Sequence, residues 1–214
     1  MLIGFAVQGW LRSAVRQQLK VAGSTGLTGA EIARAILDRN GLHAVPVEPA
    51  GGGALSDHYD PRSRSIHLSA DVFAGRSVAS GAIAAHEVGH AIQHATAYSA
   101  FRARSAMFPV VNIASQAWLL LLLVGAFMQI AGAVELALLL FGIVVLFQLV
   151  TLPVEFDASK RALAQLRGVG LVSVAETGGA RKVLTAAALT YVAAALAAVA
   201  QLAYFAMMFL GRRD

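Results

Sequence analysis

The chain contains no cysteine. That excludes disulfide frameworks, thiolate metal sites and a cysteine nucleophile, so any metal must be held by His, Asp or Glu. Charge is scarce as well. Asp, Glu, Lys and Arg make up 14% of the 214 residues, where a soluble domain carries about 25%. With 57% hydrophobic residues and a mean hydropathy of +0.66, part of the chain is expected to sit in lipid. The net charge is +5, yet no Lys/Arg-rich recognition run or nucleic-acid motif accompanies it. We therefore read the basic balance as membrane flanks and expect no nucleic-acid partner. Repeats, low-complexity tracts and a secretory cleavage pattern are also lacking.

Three stretches carry no charged residue and are long enough to span a bilayer, which takes about 20 apolar residues. They run from Ser105 to Val134, from Leu136 to Val154 and from Val183 to Gly211. The start, "MLIGFAVQGWL", is apolar for only eleven residues before Arg12. It reads either as a clipped membrane segment or as an interfacial anchor. The chain thus divides into an anchor and polar part (1–104), a transmembrane hairpin turning near Glu135 (105–154), a helix and loop (155–182) and a last transmembrane helix (183–214). Ten Lys and Arg lie between Arg12 and Arg104, and five more between Lys160 and Lys182. The positive-inside rule then places the first and third segments in the cytoplasm. Arg212 and Arg213 fall on the outer side and count against that orientation.

Local patterns are clear in the polar part. "TGAEIARAILDRNGL" reads as a helix that Thr28 or Gly29 can start and Gly41 stops, with Ile32, Ala33, Ile36 and Leu37 on one face. "RSIHLS" alternates as a half-buried strand does. From Ser77, the residues Val78, Ile83, Val88 and Ile92 indicate a mostly buried helix.

That helix carries "AAHEVGHAIQH", Ala84 to His94. Residues i and i+4 stack on one helix face, so His86 and His90 offer two imidazoles to one ion. Glu87 lies beside that face, placed to take a proton from water activated by zinc. Gly89 points away from the ligand pair and allows close packing there. A third ligand is needed. His94 lies about 12 Å along the axis from His86 at 1.5 Å per residue, so one straight helix cannot wrap all three around an ion; it reads as a rim or second-layer residue. Glu155 is the first charge after the hairpin returns the chain to the same membrane face. It reads as the third ligand or as a charge marking the membrane edge, and the His2Glu precedent for zinc favours the ligand. Asp157 is a weaker alternative, suited to solvent or to supporting a ligand histidine.

These residues carry a resemblance. "LSDHYDPRSRSIHLS", "VASGAIAAHEVGHAIQH", "LPVEFDASKRAL" and "AAALTYVAAAL" resemble the YugP-type neutral zinc metallopeptidases of bacterial membranes, from about Thr28 to the third span. The resemblance implies a membrane-bound zinc endopeptidase acting on protein or peptide substrates. His86 and His90 would be ligands to Zn2+ and Glu87 the general base. By similarity to the related CAAX-protease and stress-protease clan of gluzincins, Glu155 is the third ligand. The implied fold is α+β: a mainly helical zincin-like catalytic part with a small sheet, joined to a transmembrane helix bundle. Those relatives carry Glu-x-x-Ala-Asp on the ligand helix. Here Ser159 replaces the final acid, and Ser159 or Asp157 is left to support a histidine.

Peptide hydrolysis also needs an oxyanion donor. Tyr191, near the start of the third span, is either that donor or an interfacial aromatic anchor. "RSIHLS" is expected to be the sheet edge on which an extended substrate adds a strand. His58 and His67 read as structural or rim residues. Three rivals remain. An intramembrane site-2-like protease would carry a later Asn-Pro-Asp-Gly or Leu-Asp-Gly ligand motif, which is missing. A membrane zinc transporter would carry polar ligands within its spans, and these spans offer few. A non-catalytic scaffold, which binds partner proteins, has no need of Glu87.

Overall fold

The computed structural model describes residues 2–53, 56–168 and 170–210; Arg212 and Arg213 lie outside the described residues. The chain is mostly helical around one small sheet. In order it forms α1 (Leu2–Leu19), α2 (Gly29–Arg39), β1 (Val47–Pro49), β2 (His58–Asp60), β3 (Ser65–Leu68), α3 (Ala70–Phe73), α4 (Val78–Ala95), α5 (Ser99–Phe127), α6 (Ala131–Gly168) and α7 (Val174–Leu210).

Local chemistry sets the polar part. Thr28 starts α2 with a capping box: its hydroxyl accepts from Glu31 N at 3.1 Å, and the Glu31 carboxylate accepts from Thr28 N at 2.7 Å. Gly41, at φ +70°, ends the element in a conformation that side chains resist. Ile32, Ala33, Ile36 and Leu37 are buried as expected. They pack with Ile66, Leu68, Val88 and Leu166 into one core.

The sheet order is β1-β3-β2, with β1 parallel and β2 antiparallel to β3. The stretch expected at the edge is therefore the middle strand. Ile66 and Leu68 are fully buried, and β3 is paired on both sides. The edges are β1 and β2, each only three residues long. Strands that short give no alternation to read, and Pro49 in β1 suits an edge because it cannot donate to a ladder.

α4 is the central element. Ser77 caps it by accepting from Ser80 N at 3.1 Å, and α1, α2, α3, the sheet, α6 and α7 all pack against it. A helix buried on nearly every side needs small or apolar residues all round, which "VASGAIAA" supplies.

Among the described residues, three helices are long and apolar enough to cross a membrane: α5, α6 and α7 as far as Phe209. The turn between the first two lies at 128–130, with Gln129 at φ 56°, and Gly125 sits against Val134 across it. The turn expected near Glu135 is thus several residues earlier, and Glu135 is inside α6. The reversal is made where Gln129 adopts the left-handed conformation, which charge patterning does not reveal. α6 then continues without a break past Pro153. Its 38 residues span about 57 Å at 1.5 Å each, well beyond the roughly 30 Å of a hydrocarbon core. One helix therefore combines an apolar stretch long enough to cross a membrane with the segment that carries Glu155. α1 lies along α7, where Leu11 and Ala14 meet Ala186.

Candidate metal centre

Helix α4 presents His86 and His90 one turn apart, and α6 presents Glu155 opposite them. His86 Nε2 lies 3.2 Å and His90 Nε2 3.6 Å from the same Glu155 oxygen, Oε2. All three ligand atoms fall within 4.8 Å of one another. A tetrahedral ion bound at about 2.0–2.1 Å places its ligand atoms about 3.4 Å apart, so the spacing fits zinc. The donor chemistry fits too. Each imidazole turns its Nδ1 to a polar group, His86 to Ser159 Oγ at 3.2 Å and His90 to Gln93 Oε1 at 3.0 Å. Protonated at Nδ1, both rings keep the Nε2 lone pair for a metal.

α4 and α6 meet closely because of Gly89. A β-carbon there would lie 2.7 Å from Ala158 O and 3.1 Å from Ala158 Cα. The residue expected to allow close packing is the one against which α6 rests. Glu155 is 2% exposed. Burying such a carboxylate requires compensating partners; His86 and His90 face one oxygen, and Arg104 Nη1 approaches the other at 3.4 Å.

Glu87 is buried beside the cluster. Burial pushes its carboxyl up to about 7; His86 opposes the rise, while the negative charges of Glu155 and Asp57 add to it. A cation held at the cluster acts in the lowering direction. Both Glu87 and the cluster open into one cleft of about 790 Å3, which Tyr191 also lines. The edge strand β2 forms another wall through His58, Tyr59 and Asp60, and α5 contributes Phe101, Arg104 and Phe108. Asp57, just before β2, is fixed by Ser69 N at 2.8 Å and the Ser69 hydroxyl at 3.1 Å. Burial raises its pKa against those hydrogen bonds.

His94 lines the cleft too, but its Nδ1 meets the Tyr59 hydroxyl at 2.8 Å. It stands apart from the three-residue cluster. His58 and His67 stack at 4.8 Å between ring centroids across β2 and β3; only His58 reaches the cleft. Asp157 does not touch a ligand. It accepts from Gln93 Nε2 at 2.9 Å and pairs with Arg161 at 2.5 Å. Sequence reasoning missed Gln93, Arg104 and Tyr59. Gln93 could have been found, since it sits three residues beyond His90 on the same helix. Nothing local marks the other two.

The family model described as "Putative neutral zinc metallopeptidase" matches residues 1–210. The chain is 48% identical over 212 residues to a Bacillus subtilis (strain 168) protein described as "Putative membrane protease YugP", covering 99% of this chain and 94% of that protein. No solved structure matches. The chain belongs to this zinc metallopeptidase family.

Proposed function

We propose that this protein is a membrane-bound zinc endopeptidase that hydrolyses extended, membrane-proximal segments of other proteins. The observation that carries the reading is the meeting of His86 Nε2, His90 Nε2 and Glu155 Oε2 beside the buried Glu87, in a cleft walled by a free sheet edge. His86, His90 and Glu155 would hold zinc, which when bound would supply Lewis acidity toward a peptide carbonyl and lower the pKa of water toward neutrality. Glu87 takes the proton from the attacking water and returns it to the departing amine, a double task helped by burial, which raises its carboxyl pKa against the lowering pull of a cation. Tyr191 lines the cleft beside these groups and donates its hydroxyl to the oxyanion. Arg104 keeps Glu155 turned toward the metal by holding its other oxygen. The substrate backbone adds a strand to β2, which tolerates varied sequences because main-chain groups make the contacts.

The cleft also draws on residues of α5 as far as Phe108 and Pro109, close to the apolar stretch of that helix. A site there reaches flexible segments near the bilayer and excludes compact folds. An intramembrane protease is disfavoured, because α4 is not among the three long apolar helices and instead packs within the mixed core.

The Glu87→Gln variant is expected to retain zinc while peptide cleavage falls by roughly 10^2- to 10^4-fold. Metal analysis beside a cleavage assay decides it; lost zinc or full activity removes Glu87 from this role. The expected cytoplasmic placement has its own test, made simple by the absence of cysteine. Ala164→Cys lies on the ligand half of α6 and Ala131→Cys at its other end, both exposed. In intact cells an impermeant thiol reagent should label Ala131→Cys alone. Labelling of Ala164→Cys reverses the orientation.

A further inference from the structure

Gln93 is fully buried, and its amide is used on both sides. Oε1 faces His90 Nδ1 at 3.0 Å; Nε2 donates to Val154 O at 2.7 Å and to Asp157 Oδ2 at 2.9 Å. Both partners of Nε2 are acceptors only: a backbone carbonyl and a carboxylate that itself pairs with Arg161. The amide therefore has one allowed orientation. Flipping it sets Oε1 against two acceptor oxygens at hydrogen-bond distance. With Oε1 fixed toward His90, the imidazole must donate from Nδ1, which leaves Nε2 as a lone pair aimed at Glu155 Oε2.

We infer that Gln93 is the positioning residue of the metal centre, selecting the His90 tautomer and locking α4 to α6 between the two ligand sets. This deepens, and rests on, the zinc-peptidase reading above. A ligand histidine usually donates directly to a carboxylate or carbonyl. Here Gln93 stands between, so the Asp157 charge acts one group removed. The same side chain bonds to the carbonyl of Val154, the residue immediately before the ligand Glu155. It therefore fixes one ligand by its proton and the other by its backbone. The chain beyond is anchored as well. The Arg161 guanidinium lies over the Tyr98 ring at 5.7 Å, and Tyr98 N donates to the Gln93 carbonyl at 2.9 Å.

The test is Zn2+ affinity of the full-length protein by chelator competition, with Co2+ absorption bands reporting ligand geometry. Gln93→Leu keeps the size and removes the polar links. Zn2+ binding is expected to weaken about 10- to 100-fold, the effect typical of groups that hold a metal-ligating histidine, and the Co2+ bands should shift. Gln93→Glu keeps an acceptor for His90 but opposes Asp157, and should also lose affinity. Adding Asp157→Asn supplies a donor again and should recover part of that loss. Unchanged affinity in Gln93→Leu overturns the inference. So does equal loss in Gln93→Glu with and without Asp157→Asn, because packing alone would then explain it. Wild-type protein that binds no Zn2+ overturns the metal-centre reading and this inference together, whereas wild-type binding matched by Gln93→Leu overturns the inference alone.

Discussion

The two halves of α6 behave as different materials. Before Pro153 the helix exposes Leu136, Leu139, Leu146 and Leu149, an arrangement that water would penalise and hydrocarbon accepts. After Pro153 it buries Val154, Glu155, Ala158, Ser159 and Ala162, and exposes Lys160 and Arg167. The backbone is the same helix throughout. What changes is the solvent and the kind of contact. The first half meets its neighbours through large side chains such as Leu138 and Phe141. The second half meets α4 through small residues, with Gly89 against Ala158, and this close approach is what brings Glu155 to the histidines. Tight backbone contact serves the site, and bulk serves the span.

Breaking the small-residue half at the ligand itself should have the largest effect. Glu155→Ala is expected to weaken Zn2+ binding by more than the roughly 100-fold seen when a supporting group is lost, and to abolish cleavage. His94→Ala, on the cleft rim, should change zinc occupancy little. Metal content of the two purified variants separates them, and zinc lost from the His94 variant alone would reassign the third ligand.

Gly89→Ala comes next. Its β-carbon meets backbone that cannot swing away, so α4 and α6 must part. Overpacking of this kind costs about 1–3 kcal/mol. Thermal unfolding should show the loss, with zinc affinity falling alongside it because the ligand helices separate. An unchanged Tm with normal zinc binding would mean that the contact is not what holds the halves together.

The smallest effects sharpen the contrast within α6. Ala162→Leu, at a fully buried position of the second half, should also cost about 1–3 kcal/mol. Leu139→Ala, at an exposed position of the first half, should stay within about 0.5 kcal/mol. Unfolding midpoints in one detergent compare them directly. Equal losses would show that the first half has a protein partner on that face.

What could be read locally was read well. Thr28 and Gly41 bound α2 because caps and left-handed turns act within a few residues. Helical spacing alone put His86 and His90 on one face of α4 with Glu87 beside them. Lipid-length apolar runs located three helices, since composition over about 20 residues reports the solvent directly. The same reasoning misplaced the hairpin turn, because Glu135 marks a charge and not a reversal. It also made β3 an edge, because strands of three residues left no pattern to set beside it.

The sequence by itself determined the His86-Glu87-His90 motif on one helix and the long apolar helices, all of which depend on neighbours within one or two helical turns. Tertiary structure decided the rest of the site. Glu155 meets His86 across 69 residues, Gln93 reaches Asp157 across 64, and Arg104 meets Glu155 across 51. No periodicity connects such pairs. They are brought together by the return of α6 and by the missing side chain at Gly89; the hairpin return already pointed to Glu155, whereas the Gln93 and Arg104 contacts become visible only when the helices are packed.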